Sequence, residues 1–162
     1  MNYCMECGTK LTKKFLKNEG MIPYCDTCKE FRFPVFNTAV SMIVMNEEQD
    51  KILLIKQYGG DDYILVAGYV NQGENAEHAV VREVKEEVGL DVLNLHFNKS
   101  EYYKKSNTLM LNFTCIVEEK PFALAEDEVD HAEWFSLEEA RAKIEKGNLA
   151  QRFLIHYLDN LL

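Results

Sequence analysis

The stretch "GYVNQGENAEHAVVREVKEEVGL", residues 68–90, decides how the rest of the chain is read. Val80, Val84 and Val88 recur at helical spacing. Asn75 is a good N-cap and Gly89 a plausible terminator, so the pattern predicts a helix from Asn75 through about Val88. Glu83, Glu86 and Glu87 crowd into five residues of that helix. Like charges three or four apart destabilise a helix by a few tenths of a kcal/mol per pair. At ~100° per residue the three carboxylates span an arc of roughly 100°. That arc borders the valine stripe, with Val81 at its far edge, whereas His78 and Lys85 point to the wet side.

Most charge runs are solvated faces, and the chain contains its own control. In "SLEEARAKIEK", residues 136–146, Glu138 and Glu139 have Arg141 and Lys143 at supportive spacing. The 83–87 cluster has only Arg82, four residues before Glu86. Under-neutralised carboxylates at the edge of an apolar face suit divalent cations, and all-oxygen donors select the hard ions Mg²⁺ or Mn²⁺. Such ions bind phosphates and activate water for displacement at phosphorus. Gly68 and Gly73 precede the helix in a loop able to approach a ligand closely.

Working outward, residues 38–45 and 51–57 read as strands around the polar turn "NEEQD", and 62–70 as a third extended run. Residues 95–103 and 108–119 read as two more strands, and "AEWFS" as a short one. "SLEE" matches a capping box and opens a helix to about Lys146, and Asn148 caps a last helix. Mixed strands flanked by helices predict an α/β or α+β sandwich.

Toward the N-terminus, Cys4 and Cys7 form one C-x-x-C pair and Cys25 and Cys28 a second, with seventeen residues between the pairs. This spacing predicts one structural Zn²⁺ held by four thiolates, with no position open for chemistry. Two disulfides or unconnected thiols are the plainer alternatives. Gly8 follows the first pair, where a tight turn favours positive φ. A segment of this size needs a metal in place of a core. Pro34 in "FRFPVF" marks the boundary between a head, 1–34, and a main domain, 35–162. Cys115 lies in an apolar strand and reads as core.

The net charge is −9 over 162 residues, with +2 in residues 1–36 and −11 in the rest. So acidic a body repels a phosphate backbone, which makes nucleic acid an unfavourable partner. No apolar run approaches the ~18 residues of a membrane span, and "MNYCMECGTK" has no signal-peptide core. The expected compartment is the cytoplasm, with reduced thiols.

Gly68, Glu74 and "REVKEEVGL" from Arg82 to Leu90, at these spacings, resemble the complete Nudix box. The resemblance implies a Nudix-type α/β/α sandwich with a mixed sheet, and metal-dependent hydrolysis of a nucleoside diphosphate linked to another group. It implies that Glu83, Glu86 and Glu87 bind Mg²⁺ or Mn²⁺, with one helping to deprotonate water. Arg82 and Glu74 would brace loop and helix, and Gly68 would offer a carbonyl near the metals. A further acidic ligand from a later loop is expected in "EDEVDHAEWFS", where Glu128 is chosen over Glu126 and Asp130. A solvated loop is its plainer alternative.

A four-cysteine ribbon before "LVAGYVNQGE" is similar to the NADH pyrophosphatase branch of that family and its zinc-ribbon relatives. That branch has S-Q-P-W-P-F-P-x-S after the box, where this chain has "SEYYKKSNTLM" from Ser100. The prolines are replaced by Tyr102, Lys104 and Ser106, and Tyr103 and Lys105 stand for Trp and Phe. Ser100, Tyr103 and Lys105 are the expected substrate contacts, strand packing being the plainer reading of the tyrosines. The implied substrate is an adenosine diphosphate derivative such as NAD(H) or ADP-ribose, and the resemblance suggests a homodimer. The alternatives are a pyrophosphatase clearing nucleoside triphosphates and a non-catalytic zinc-ribbon protein that binds nucleic acid or regulates.

Overall fold

The computed structural model describes residues 1–161. The chain divides into two compact units, Met1–Phe36 and Asn37–Leu162.

The first unit is a three-stranded antiparallel sheet of β1 (Thr12–Leu16), β2 (Gly20–Cys25) and β3 (Glu30–Phe31). The turns that carry the two cysteine pairs are built alike. The Gly8 N–H donates to the Cys4 carbonyl and the Lys29 N–H to the Cys25 carbonyl, each at 2.9 Å. Both residues have left-handed φ, 71° and 63°. The repeated turn brings all four sulfurs toward one another.

The second unit is a mixed six-stranded sheet between helices. Its strands are β4 (Asn37–Met45), β5 (Lys51–Gln57), β6 (Val66–Tyr69), β7 (Val92–Tyr103), β8 (Thr108–Val117) and β9 (Val129–Ser136). The order is β7-β8-β4-β5-β9; only β4 and β8 run parallel, and β6 also pairs with β4. Strand alternation divides the core in two. Val40, Met42, Val44, Leu53 and Ile55 face α1 (Ala76–Val88), with its buried Val80, Val84 and Val88. Ile43, Met45, Ile52 and Leu54 face α2 (Leu137–Lys143) and α3 (Leu149–Asp159). This is the expected α/β/α sandwich. Burying a valine side chain stabilises by about 1.5–3 kcal/mol, so the α1 stripe alone holds that helix firmly.

The α1 limits agree with the sequence pattern: the Asn75 side chain accepts from the His78 N–H, and Gly89 closes the helix at φ 75°. Several bounds need correction, β7 and β9 each beginning three residues earlier than expected, at Val92 and Val129. The run 62–70 is regular strand only at Val66–Tyr69, with isolated bridges at Tyr63 and Ile64. The second helix stops at Lys143, short of Lys146. Ile144 leaves the helix at ψ 138°, which buries its side chain and pairs it with Tyr63.

Candidate functional site

Strand β4 is shared along one edge. Residues 39–42 pair with β6, while Val44 and Met45 pair with β5. Where β5 and β6 diverge, a cleft of about 400 Å³ opens beside α1. Glu83, Glu87 and Glu128 line it with Gly68, together with Ala39, Ala67, Ser106, Thr108 and Met110 and with Gln57, Tyr58, Tyr69 and Asn71.

The acidic wall is assembled by short-range geometry. Glu83 is 9% exposed and Glu87 2%, so α1 turns both carboxylates inward. Glu83 rests directly on the β6 backbone. A Cβ added at Gly68 would lie 2.0 Å from its Cδ, so only glycine leaves room for that carboxylate. Arg82 braces the group. Its Nε and Nη2 form a fork on Glu74 at 2.8 and 2.9 Å, and Nη2 also reaches the Tyr69 carbonyl at 2.9 Å. Its Nη1 donates to Glu83 at 2.6 Å and to Glu86 at 3.0 Å. Arg82 therefore neutralises Glu83 as well as Glu86, more than sequence spacing shows. These bonds hold the Glu74 carboxyl down at about 2. Glu86 itself is on the exposed rim, outside the cleft lining.

Glu87 is left differently. Among the described residues, its Oε2 is the buried side-chain atom without a hydrogen-bond partner. Burial pushes its carboxyl up to about 8, the Glu83 and Glu128 charges add to this, and a Gln57 hydrogen bond opposes it. Burial likewise raises Glu83, against the pull of Arg82. A buried carboxylate oxygen facing a polar cleft is costly unless a cation or donor comes to it.

Glu128 arrives from the loop between β8 and β9, which is tied to the C-terminal carbonyls of α1. Ala125 N–H donates to Glu87 O and Ala123 N–H to Val88 O, both at 3.1 Å. Glu128 N–H then turns back to Ala125 O at 2.9 Å, and its carbonyl accepts from Tyr58 N–H at 3.3 Å. Tyr58 is 73% exposed and holds φ at 53°, a conformation that costs a non-glycine residue energy. The carboxylates, Glu128 foremost, push its phenol above the usual range.

Of "SEYYKKSNTLM", the structure brings to the cleft Ser106, Thr108 and Met110, and none of the expected contacts Ser100, Tyr103 and Lys105. Met110 is in register with Ala39, and Thr108 lies two residues before it on the same face of β8. Ser100 and Lys105 are exposed and do not line the cleft. The 3₁₀ turn Lys104–Ser106 carries Ser106 to the cleft instead. Tyr103 lines a mostly apolar neighbouring pocket of about 300 Å³ with Phe153, Leu149 and Ala150. That pocket shares Ala67 and Met110 with the cleft. Tyr58, Tyr69 and Thr108 were not singled out from sequence. The two-residue period of β8 was the available signal for Thr108; nothing local marks Tyr58.

In the head, Cys4, Cys7, Cys25 and Cys28 offer sulfurs that all lie within 4.8 Å of one another, and none is in a disulfide. Two of the separations are 3.9 Å (Cys4–Cys28) and 3.4 Å (Cys7–Cys25). A tetrahedron with Zn–S of ~2.3 Å has edges of about 3.8 Å, so the set fits zinc. No three carboxylates among the described residues close up comparably.

A family model described as NUDIX domain matches residues 35–157. The NAD-capped RNA hydrolase NudC of Pseudomonas aeruginosa (strain LESB58) is 31% identical over 158 residues, 96% of this chain and 55% of that protein. The NudC of Pseudomonas putida (strain GB-1) is 30% identical over 155 residues, 94% of this chain and 54% of that protein. The chain thus spans about half the length of the curated relatives it matches. A NUDIX hydrolase from Nitrosomonas europaea has a similar fold, with TM-score 0.66 at 17% identity over 99% of this chain and 92% of that one. So does the NUDIX domain of Shewanella oneidensis NrtR, solved with ADP ribose, with TM-score 0.67 at 13% identity over 86% and 94%. With the box folded as a loop and helix around a carboxylate-lined cleft and the family model covering most of the residues, the chain belongs to the Nudix family.

Proposed function

We propose that this chain is a divalent-metal-dependent pyrophosphohydrolase acting on an adenosine diphosphate derivative, by attack of water on phosphorus. The observation that carries the reading is the buried Glu87 oxygen without a partner, beside Glu83 and Glu128 in an open cleft. The all-oxygen donor set favours Mg²⁺ or Mn²⁺. Bound there, such ions would neutralise the diphosphate and lower the pKa of a water. Glu83, Glu87 and Glu128 would hold them, with Glu86 at the rim and the Gly68 carbonyl nearby. A carboxylate of the cluster takes the proton of the attacking water. Arg82 and Glu74 keep the helix and the loop before it in register, so the carboxylates do not drift apart under mutual repulsion.

The substrate class rests on the rest of the cleft. Tyr58 and Tyr69 offer ring faces to a base, and Ser106 and Thr108 offer hydroxyls. The adjoining apolar pocket with Tyr103 gives a second half-molecule somewhere to go, which a triphosphate does not need. Ser100 and Lys105 remain candidate contacts only for parts of a substrate that extend beyond the cleft. The relatives named NAD-capped RNA hydrolase favour a diphosphate of the NAD type.

In this reading residues 1–34 are a ribbon with one structural Zn²⁺ and residues 35–162 the hydrolase domain. Four reduced thiols suit a reducing compartment, the cytoplasm.

The test is product analysis with Mg²⁺ or Mn²⁺ over NADH, NAD⁺, ADP-ribose, diadenosine polyphosphates and nucleoside triphosphates. AMP with the complementary phosphate is expected from the dinucleotides or ADP-ribose. Faster release of pyrophosphate from triphosphates overturns the substrate class, and no product from any of them overturns the enzyme.

A further inference from the structure

The first unit contains a buried charge that the four-sulfur arrangement does not require. Arg32 follows β3 and is 9% exposed. Its backbone N–H donates to the Pro23 carbonyl at 2.7 Å, which fixes where the side chain starts. The guanidinium then spends its three nitrogens on three partners. Nε donates to Cys4 Sγ at 3.3 Å, Nη1 to Glu30 at 2.5 Å and Nη2 to Glu6 at 3.4 Å.

Burying a guanidinium is costly unless it is paired. Here the two carboxylates are more than half exposed, so water screens their charge. The contact with Cys4 is buried, so it is screened far less. Glu6 belongs to the turn between Cys4 and Cys7, and Glu30 follows Cys28 by two residues. Each carboxylate thus ties the fork to one cysteine pair, and together they leave Nε facing sulfur.

We propose that Arg32 is a positioning residue of the metal centre, donating a charge-assisted N–H···S bond that fixes Cys4 and withdraws electron density from its sulfur. The inference rests on the reading of the four cysteines as a zinc site. Four thiolates on Zn²⁺ carry a net charge of about −2, and a buried cation beside one of them offsets part of it. A sulfur with less electron density is also slower to take up a proton or an alkylating group, the events that open a thiolate site. Partners of this kind commonly contribute about 10–100-fold to metal affinity.

The experiment uses the full chain. Zinc content of the unaltered protein comes first, and a value near zero removes the zinc reading without reference to Arg32. Zinc affinity is then measured by competition with a chromogenic chelator for Arg32→Gln, Arg32→Lys and Glu30→Gln. Cobalt-substituted protein reports the sulfur-to-metal charge-transfer bands. Arg32→Gln should weaken zinc about 10–100-fold and move those bands to lower energy, because the sulfur is more electron-rich. Arg32→Lys retains charge without the fork and should fall between, and Glu30→Gln should weaken zinc less than Arg32→Gln. Should Arg32→Gln fail to fold, the bands of Arg32→Lys and Glu30→Gln decide. Unaltered affinity with unshifted bands overturns the proposal. So does weaker zinc with unshifted bands, since a purely structural arginine would give that result.

Discussion

Single atoms decide the chemistry proposed for the cleft, and Glu87 Oε2 is the most exposed to test. Glu87→Gln nearly preserves shape and removes the charge. Turnover should fall at least ~100-fold, the low end of what a positioned ionisable group contributes, while Glu138→Gln on α2 leaves it intact. The same residue predicts a pH effect in protein dialysed free of Mg²⁺ without a zinc chelator. The Glu87 carboxyl is raised to about 8 in the folded state, mainly by burial. A raised carboxyl binds more protons folded than unfolded, so its contribution to stability is complete below the ordinary carboxylate pKa and is lost as pH rises through about 8. Melting temperature should therefore fall between pH 5 and 8, and Glu87→Gln should flatten that dependence. A slope unchanged in Glu87→Gln would show that burial does not perturb this carboxyl. Gly68→Ala tests the contact beneath Glu83. The new methyl collides with the carboxylate at 2.0 Å, so metal affinity should drop while the melting temperature changes little, as read by calorimetric titration with Mg²⁺ and by thermal scans.

Among elements, the C-terminus of α1 has two tasks, ending the helix and holding the loop that carries Glu128. Gly89→Ala should disturb both. Its φ of 75° strains any side chain, and its Cβ would meet Ala123 Cβ at 2.6 Å and the Ala123 backbone N at 2.9 Å. Roughly 1–3 kcal/mol of stability should be lost, with activity reduced beyond what the unfolded fraction explains. Chemical denaturation and turnover at a temperature well below melting separate the two effects. The end of β5 gives the opposite case. Tyr58 holds left-handed φ without being glycine, so Tyr58→Gly should relieve backbone strain and cost little or no stability. It removes the ring from the mouth of the cleft, so KM should rise several-fold while kcat changes less. Equal KM in both proteins would mean the ring does not touch substrate.

Over the whole molecule, the proposed reading gives the two units different metals of different chemistry. Sulfur binds zinc tightly, whereas carboxylates bind Mg²⁺ weakly and share it with phosphate. Dialysis into Mg²⁺-free buffer should therefore abolish turnover and leave about one equivalent of zinc per chain, measured by atomic emission. Zinc far from one equivalent, or zinc lost alongside Mg²⁺, would break the assignment of one metal chemistry to each unit.

The legible parts of this protein are those with short-range causes. Helix α1 was readable to its end residues because Asn75, the valine stripe and Gly89 are all local signals. The two C-x-x-C pairs were readable because four sulfurs at that spacing have few other uses. The excess of carboxylate over base at 83–87 was likewise visible as a violation of local charge pairing. What only the tertiary structure decided involves partners distant in sequence. Arg82 also neutralises Glu83, because the loop and strand it grips turn its fork that way. The second helix ends early because Ile144 finds Tyr63, some eighty residues back. Thr108 and Met110 enter the cleft while Ser100 and Lys105 stay outside, because the β4–β8 register and a 3₁₀ turn choose which side chains face inward. Arg32 reaches Cys4 across most of the first unit. In each case burial and hydrogen bonding reward a contact made only after the chain has folded; the two-residue period of β8 says which residues share a face with Thr108, but not which face meets the cleft.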